Sequence, residues 1–162
     1  MRGLASRMDL HAKLQELDAE LPKVADAVAD YEPALEFGGL IYISGQVPME
    51  DNKPSATGKV AAGTDALKAA QEAARRCVLN GLAAADRVLD GDWSRFERAV
   101  RVVVYVAGEE GYEGPHHVAN GASQLLTDLF GDAGRHARTA VTVASLPLDV
   151  PVKVEMTLGL KA

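Results

Sequence analysis

Three charged residues interrupt two short apolar segments in the last third of the sequence. Gly134 to Met156 reads GRHARTAVTVASLPLDVPVKVEM, which is rich in Val and Leu but contains Arg138, Lys153 and Glu155. Arginine offers five N–H donors in a planar fork, which suits a carboxylate held by two parallel hydrogen bonds. Protonated lysine offers only donors, whereas an ionised glutamate is an acceptor. Such charges face water, a partner subunit or a ligand.

Alternation places the three charges on one face of a predicted sheet. In the last predicted strand, Val152 to Leu160, apolar residues alternate with Lys153 and Glu155, and side chains of a strand point alternately to its two faces. In the preceding predicted strand, Ala137 to Ala144, the valines alternate with Arg138. We expect the turn SLPLDVP to join these strands as a hairpin, with the valines under the helices and Arg138 near Lys153 or Glu155 on the other face.

The rest of the chain shows helix and strand patterns that must position these two strands. Gly38-Gly39 separates two apolar runs, as in a tight β-hairpin. Small residues recur at helical spacing after Thr64, the expected N-cap of a long helix. The first predicted elements are a helix over Ser6 to Leu21 that ends at Pro22, two strands flanking Gly38-Gly39, and the helix after Thr64. A strand over FERAVRVVVYVAG follows, with Val100, Val102, Val104 and Val106 on one apolar face. The last elements are a helix from Pro115 that stops at Gly131 and the two strands described above.

This order is an α+β layout. Two helices can cover only one face of a sheet of this size, so the other face needs a different cover. We expect sister subunits to provide it, which places the charged face between subunits.

Composition alone leaves two partners open for Arg138. One is a carboxylate such as Glu155 in an intersubunit ion pair, and the other is the carboxylate of a bound substrate.

Other reactive residue types have little support as catalytic groups. Adjacent residues on a helix diverge by about 100°, so His116 and His117 cannot easily hold one metal ion. His136 has no second ligand at metal-binding spacing, and Cys77 falls on the small-residue stripe of a helix. Ser44, in ISGQ, lacks a nucleophile-elbow motif. We therefore expect neither a metal centre nor a serine or cysteine nucleophile.

Composition limits the partners of the protein. The 162 residues include 23 acidic and 17 basic side chains, for a net charge of −6, and no Lys/Arg run offsets that charge. A nucleic-acid partner is therefore not expected. No apolar stretch has the length of a membrane span or a signal peptide, and the single cysteine cannot form an internal disulfide. We expect a cytoplasmic protein with no membrane partner.

Motifs in a fixed order carry a family resemblance. They are Tyr31 before the hairpin, LIYISGQVPM, GKV, EAARRCVLNGLAA, VANGASQLL, LFGDAGRHAR and TAVTVASLPLDVPVKVEM. Together they resemble the RidA family, also called YjgF/YER057c or L-PSP, and in particular a longer, endoribonuclease-like branch. The resemblance implies a helical extension over residues 1–22 and a RidA/YjgF-like domain over residues 23–162. It also implies a chorismate-mutase-like fold, with a mixed β-sheet carrying two helices on one face, and a homotrimer.

The resemblance further implies an activity and a set of site residues. RidA proteins hydrolyse enamine and imine intermediates such as 2-iminobutyrate to a 2-oxo acid and ammonia, without a cofactor, in clefts between subunits. The family arginine that holds the substrate carboxylate corresponds to Arg138. Other cleft residues correspond to Tyr31, Ser44, Gly45 and Asn120. We therefore expect a small carboxylate or imino-acid ligand and no cofactor.

Lys153 departs from the family pattern, because it stands where the family glutamate orients the attacking water. A neutral Lys153 beside Arg138 could be the base, or Glu155, about 7 Å farther along the strand, could take that role. The third alternative is loss of deaminase activity, with Arg138 and Lys153 forming a doubly cationic pocket that binds a dicarboxylate or a phosphate-bearing metabolite. The ribonuclease activity in the branch label is disfavoured by the negative net charge.

Overall fold

The computed structural model describes residues 8–24 and 30–162. Its helices are α1 (Leu10–Glu16), α2 (Thr64–Leu89) and α3 (Pro115–Phe130). Its strands are β1 (Ala34–Phe37), β2 (Leu40–Gln46), β3 (Met49–Glu50), β4 (Lys53–Pro54), β5 (Phe96–Ala107), β6 (Ala137–Val143) and β7 (Val152–Leu160). The main sheet has the strand order β1-β2-β7-β5-β6, and β3 pairs with β4 separately. α2 packs on β2 and β7, and α3 packs on β5 and β6, so both helices cover one face. The expected α+β architecture is confirmed.

Gly38 and Gly39 form the predicted hairpin turn between β1 and β2. Their φ angles are 61° and 75°, a region that glycine enters without the steric cost of a Cβ. The strands pair antiparallel on either side of this turn. The hairpin prediction is confirmed.

α1 is shorter than the predicted helix. It ends at Glu16 rather than at Pro22, because Asp18 adopts a left-handed φ of 52°. The backbone N–H of Ala19 then donates to Leu14 O at 2.9 Å, as in a Schellman motif. The predicted start of the helix lies outside the described residues. The buried leucines of α1 join the same core as the sheet, and the proposed division at residue 22 stays a prediction.

The N-cap of α2 differs by one residue from the prediction. Gly63, with φ 116°, precedes the helix, and Thr64 is its first residue. The small-residue stripe nevertheless faces the core, including the fully buried Ala74, Cys77 and Ala85.

A bulge in β5 changes which residues face the core. The register between β5 and β7 shifts between Ala99 and Arg101, and this shift leaves Ala99 buried and Val100 37% exposed. The prediction for Val100 is therefore wrong, because one extra residue in a bulge reverses the alternation of side chains. The other predicted valines are fully buried, namely Val102, Val104 and Val106.

β6 does not pair with β7, so the predicted C-terminal hairpin is wrong. β6 lies at the edge of the sheet and pairs in parallel with β5, whereas β7 lies between β5 and β2. The reason is that β5, α3 and β6 form a βαβ unit. A helical crossover returns the chain to the starting end of the sheet, so the second strand runs parallel to the first.

The parallel pairing places Arg138 on the helix-covered face. Arg138 is in register with Val102, which is fully buried on that face. Lys153 and Glu155 flank the buried Val154, so they point to the opposite face. The expected proximity of Arg138 to Lys153 or Glu155 is therefore wrong within one chain.

The sheet face opposite α2 and α3, called the open face here, carries exposed apolar side chains. Val141 and Val143 were expected under the helices, but they share the open face, and Val141 is 39% exposed. Tyr42 is 45% exposed on the same face. The exposed apolar residues of the open face are Leu35, Phe37, Tyr42, Val100 and Val141.

Candidate functional site

One helix holds the guanidinium of Arg138. Nη1 of Arg138 donates to Asn120 Oδ1 at 2.9 Å and to Ser123 Oγ at 3.1 Å, and Nη2 donates to the backbone oxygen of His116 at 3.4 Å. These acceptors lie at positions i, i+4 and i+7 of α3, so they form one stripe along the helix. Arg138 and Asn120, which the resemblance assigns to the cleft, are therefore hydrogen-bonded within a single chain.

The other edge of the Arg138 guanidinium is available to a ligand. Nε and the second N–H of Nη2 lie side by side on that edge, which matches the spacing of two carboxylate oxygens. Among the residues that the structure describes, no carboxylate forms an ion pair with Arg138. Its side chain is exposed at the edge strand, so a small anion can reach it.

Ser123 and His136 extend the hydrogen-bond network of Arg138. Ser123 Oγ lies 3.0 Å from His136 Nε2, and His136 Nδ1 lies 2.7 Å from the backbone oxygen of Gly134. Burial lowers the pKa of His136, and the charge of Arg138 lowers it further, against the hydrogen bond to Gly134. Sequence reasoning weighed His136 only as a metal ligand. The available signal is its position two residues before Arg138, immediately ahead of β6, where an extended chain turns side chains at i and i+2 to the same side.

Lys153 and Gly45 are in direct contact on the open face. β2 has an irregular register between Ile43 and Gln46, and Gly45 lies in that irregular segment. A Cβ built on Gly45 would overlap Cε of Lys153, so the lysine side chain lies directly over the glycine backbone. Only glycine leaves room for this contact, because any other side chain would displace Lys153.

Ser44 anchors the same segment of β2, and Tyr31 borders a groove beside it. Ser44 Oγ donates to Glu32 O at 2.7 Å, and Ser44 N donates to Pro33 O at 2.9 Å, which ties β2 to the segment before β1. Tyr31 is 53% exposed and, with Gly45, lines a groove of about 420 Å³. Ser44 thus has a positioning contact, and Tyr31 faces the groove.

Glu155 is half-buried on the open face and interacts with Tyr105. Desolvation raises the pKa of Tyr105, and the charge of Glu155 and a hydrogen bond to it raise it further, while Arg101 opposes the shift. Glu155 is thus an acceptor close to a phenolic hydroxyl. It lies two residues from Lys153 on the same face of β7.

The site residues form two separate groups in one chain. The arginine half-site is Arg138, Asn120, Ser123 and His136. The lysine half-site is Tyr31, Ser44, Gly45, Lys153 and Glu155. The arginine half-site lies at β6 on the helix-covered face, whereas Lys153 and Glu155 lie on the open face. β2 and β6 are separated by two strands, so they lie about 14 Å apart at about 4.8 Å per strand.

The described residues also bear on metal and membrane binding. Over residues 8–24 and 30–162, no group of His, Cys, Asp and Glu side chains is arranged to hold a metal ion. No helix within these ranges is long and apolar enough to cross a membrane.

A comparison with protein families matches almost the whole chain. The sequence model of the family described as "YjgF/chorismate mutase-like, putative endoribonuclease" covers residues 11–158. The chain belongs to this family. The RidA/YjgF/L-PSP resemblance of the motifs is thereby confirmed, and so is the chorismate-mutase-like fold.

Three proteins similar to this chain align over most of its length. Protein TCP17 of Trypanosoma cruzi is 36% identical over 150 residues, which is 92% of each chain. Atu1372 of Agrobacterium tumefaciens, a protein of unknown function, is 37% identical with a TM-score of 0.84, covering 94% of this chain and 92% of the other. A Shewanella oneidensis protein that carries the endoribonuclease label is 28% identical with a TM-score of 0.86, covering 93% and 99%.

Proposed function

We propose that this YjgF-family protein is a homotrimer that binds small 2-imino acids in clefts between subunits and hydrolyses them to 2-oxo acids and ammonia. In each cleft, the arginine half-site of one subunit faces the lysine half-site of its neighbour. The observation that carries the proposal is the free edge of Arg138. Its N–H donors match a carboxylate, and no described carboxylate of its own chain occupies them.

Two features support the assembly. Neither half-site is complete alone, because Arg138 lies across the sheet from the acceptor Glu155. The open face carries exposed Leu35, Tyr42 and Val141, and apolar surface of this kind on a folded chain usually marks an interface. A second copy of the chain would cover that face.

The proposed chemistry needs only these side chains and water. Arg138 holds the carboxylate, which fixes the position of the C=N carbon. Water adds to that carbon while Glu155 takes one of its protons, and the imine nitrogen takes a proton from solvent. In the resulting carbinolamine, Glu155 returns its proton to the nitrogen, the C–N bond breaks to release ammonia, and the hydroxyl loses its proton to solvent to leave the 2-oxo acid. Glu155 rather than Lys153 is the base in this scheme, because a carboxylate is an acceptor whereas a protonated amine is not.

The direct test is the decay of 2-iminobutyrate, generated in place by an amino-acid dehydratase. The wild-type protein should accelerate hydrolysis above the background rate. Arg138→Ala should lower kcat/KM by about 30-fold, because the charged hydrogen bonds to the substrate are lost. Arg135→Ala is the matched control, since it removes the same charge from a nearby exposed position outside both half-sites. No acceleration by wild type, or full activity of Arg138→Ala, would refute the proposal.

A second candidate is a non-catalytic trimer that binds small carboxylates. The observation that favours it is Lys153, whose side chain lies over Gly45 at the position of the family glutamate. A protonated amine cannot accept a proton from water. The ribonuclease label has no such support, and with a net charge of −6 we expect no cleavage of single-stranded RNA by nuclease-free protein.

Lys153→Glu separates the two candidates. If the parent only binds carboxylates, they should raise its melting temperature without turnover, and Lys153→Glu should gain imine hydrolysis. If the parent is already a deaminase that uses Glu155, then Glu155→Gln should lower kcat by about 100-fold, and Lys153→Glu should add little. The measurements are initial rates and thermal shifts on the same preparations.

A further inference from the structure

We propose that Ser123 and His136 are positioning residues that fix the guanidinium of Arg138 with its free edge toward the ligand. The inference rests on the proposed carboxylate-binding role of Arg138. It assigns a role to a serine and a histidine that contact neither the substrate nor the reacting atoms.

The hydrogen-bond directions follow from the acceptors. The backbone oxygen of Gly134 can only accept, so His136 Nδ1 carries the proton that it donates at 2.7 Å. In the neutral ring, Nε2 is then a bare acceptor, and Ser123 Oγ, 3.0 Å away, must donate its single proton to it. The lone pairs of Ser123 Oγ are left to accept from Arg138. The hydrogen bonds thus run in one fixed order. Gly134 O fixes the tautomer of His136, and His136 fixes the direction of the Ser123 hydroxyl proton. The hydroxyl oxygen then accepts from Arg138.

This chain of bonds acts on one end of the guanidinium. Ser123 Oγ and Asn120 Oδ1 together accept from Nη1, which has two N–H groups. His116 O accepts from Nη2 at 3.4 Å. Because the guanidinium is planar and rigid, holding Nη1 fixes the direction of the opposite edge. Arg138 is an exposed side chain on an edge strand, so without these bonds it would sample many rotamers.

Fixing the side chain in advance should strengthen carboxylate binding. The cost of ordering a long side chain is otherwise incurred when the ligand binds, which weakens the observed affinity. His136 is needed because the hydroxyl of Ser123 can rotate. By accepting the hydroxyl proton, His136 Nε2 keeps that proton pointed away from Arg138. Ser123 and His136 should therefore act as a unit, and the loss of either should have the same effect as the loss of both.

The experiment measures binding of 2-oxobutyrate to the full-length protein by calorimetric titration, with 2-butanone as the probe that lacks a carboxylate. Ser123→Ala and His136→Leu should each raise Kd by about tenfold, and the double variant should be no weaker. Ser123→Thr, which keeps the hydroxyl, and His136→Gln, which keeps an acceptor for it, should bind within about twofold of wild type. Thr127→Val is the matched control, because Thr127 Oγ1 donates only to the Ser123 and Gln124 backbone oxygens.

A purely structural role makes a different prediction. If Ser123 and His136 only stabilise the contact between α3 and β6, Ser123→Ala should lower the melting temperature and leave Kd unchanged, and this outcome would overturn the inference. So would failure of His136→Gln to restore the affinity lost in His136→Leu. If Arg138→Ala abolishes binding while Ser123→Ala and His136→Leu do not weaken it, the positioning role fails and the proposed function stands. If wild type does not bind 2-oxobutyrate, both fail.

In the imine assay, the same variants should change KM rather than kcat. A residue that only orients the carboxylate clamp contributes equally to the bound substrate and to the transition state, so its loss raises KM with kcat nearly unchanged. A fall in kcat of about tenfold or more in Ser123→Ala, at constant KM, would instead place Ser123 among the reacting groups and would overturn the positioning role.

Discussion

Arg138 owes its chemistry to the difference between its two edges. One edge donates to Asn120, Ser123 and the His116 backbone, and the other retains donors that suit a carboxylate. An arginine with all donors engaged would be a structural residue, and one with none engaged would be a disordered surface charge. Arg138 has some donors engaged and others free, as expected of a binding group that is fixed before its ligand arrives.

His136 makes a testable contribution to pH-dependent stability. Burial, with help from Arg138, lowers its pKa below the usual 6.5 in the folded protein. Well above pH 6.5 the imidazole is neutral in both states and adds no pH dependence. Below that pH the unfolded chain takes up the proton first, so the free energy of unfolding falls as the pH decreases. The fall stops once folded His136 is also protonated.

His136→Gln removes this titration and provides the comparison. The variant keeps the other histidines and all carboxylates, so the difference between the two stability curves isolates His136. Urea unfolding midpoints between pH 7.5 and pH 5 should fall more steeply for wild type than for the variant. Parallel curves would contradict the lowered pKa.

At the scale of elements, the packing of α3 against α2 determines where Asn120 and Ser123 lie. Gly121 of α3 faces the α2 backbone, and a Cβ built on it would overlap the carbonyl of Gln71. Gln71 Nε2 also donates to His117 O at 2.9 Å, which links the two helices near the start of α3. The close approach of the helices thus fixes the stripe of acceptors that holds Arg138.

Gly121→Ala should therefore destabilise the protein, although alanine is the better helix former. The α2 backbone cannot move aside locally, so we expect a loss of about 2 kcal/mol in the free energy of unfolding. Gly81→Ala is the comparison, since the nearest obstacle there is the flexible end of Met156, and its loss should be smaller. Urea denaturation of both variants measures the difference. An equal or smaller loss for Gly121→Ala would contradict the rigid backbone contact between α3 and α2 at this position.

Local patterns predicted most elements, but they could not predict strand pairing. The bounds of β7 and the turn at Gly38-Gly39 follow from alternation and turn chemistry, which are local signals. The partner of β6 depends on the crossover through α3, and treating the SLPLDVP turn as a hairpin overlooked the βαβ unit. That error, together with the expectation that Val141 and Val143 face the helices, misplaced Arg138 relative to Lys153. Residue types near the site were predictable, whereas their side of the sheet was not.

For the molecule as a whole, the arrangement of the half-sites and the open face favour the same assembly. Arg138 lies on one face of the sheet and Lys153 and Glu155 on the other, so no small movement within a chain can join them. The exposed apolar residues of the open face would gain burial from a second copy, at about 25 cal/mol for each Å² removed from water. Assembly would thus both stabilise the chain and complete the proposed cleft.

Val141→Lys tests this assembly. Val141 lies on β6 in the open face and is 39% exposed, so a single folded chain should accept lysine there with little loss of stability. In a trimer that buries the open face, three lysines would enter the interface without partners, and an unpaired buried charge is strongly destabilising. We expect the variant to sediment as a monomer at micromolar concentration and to lose imine hydrolysis. Ala69→Lys, at an exposed position of α2, carries the same added charge and should stay trimeric and active. A trimeric, active Val141→Lys would mean that subunits do not meet through this face.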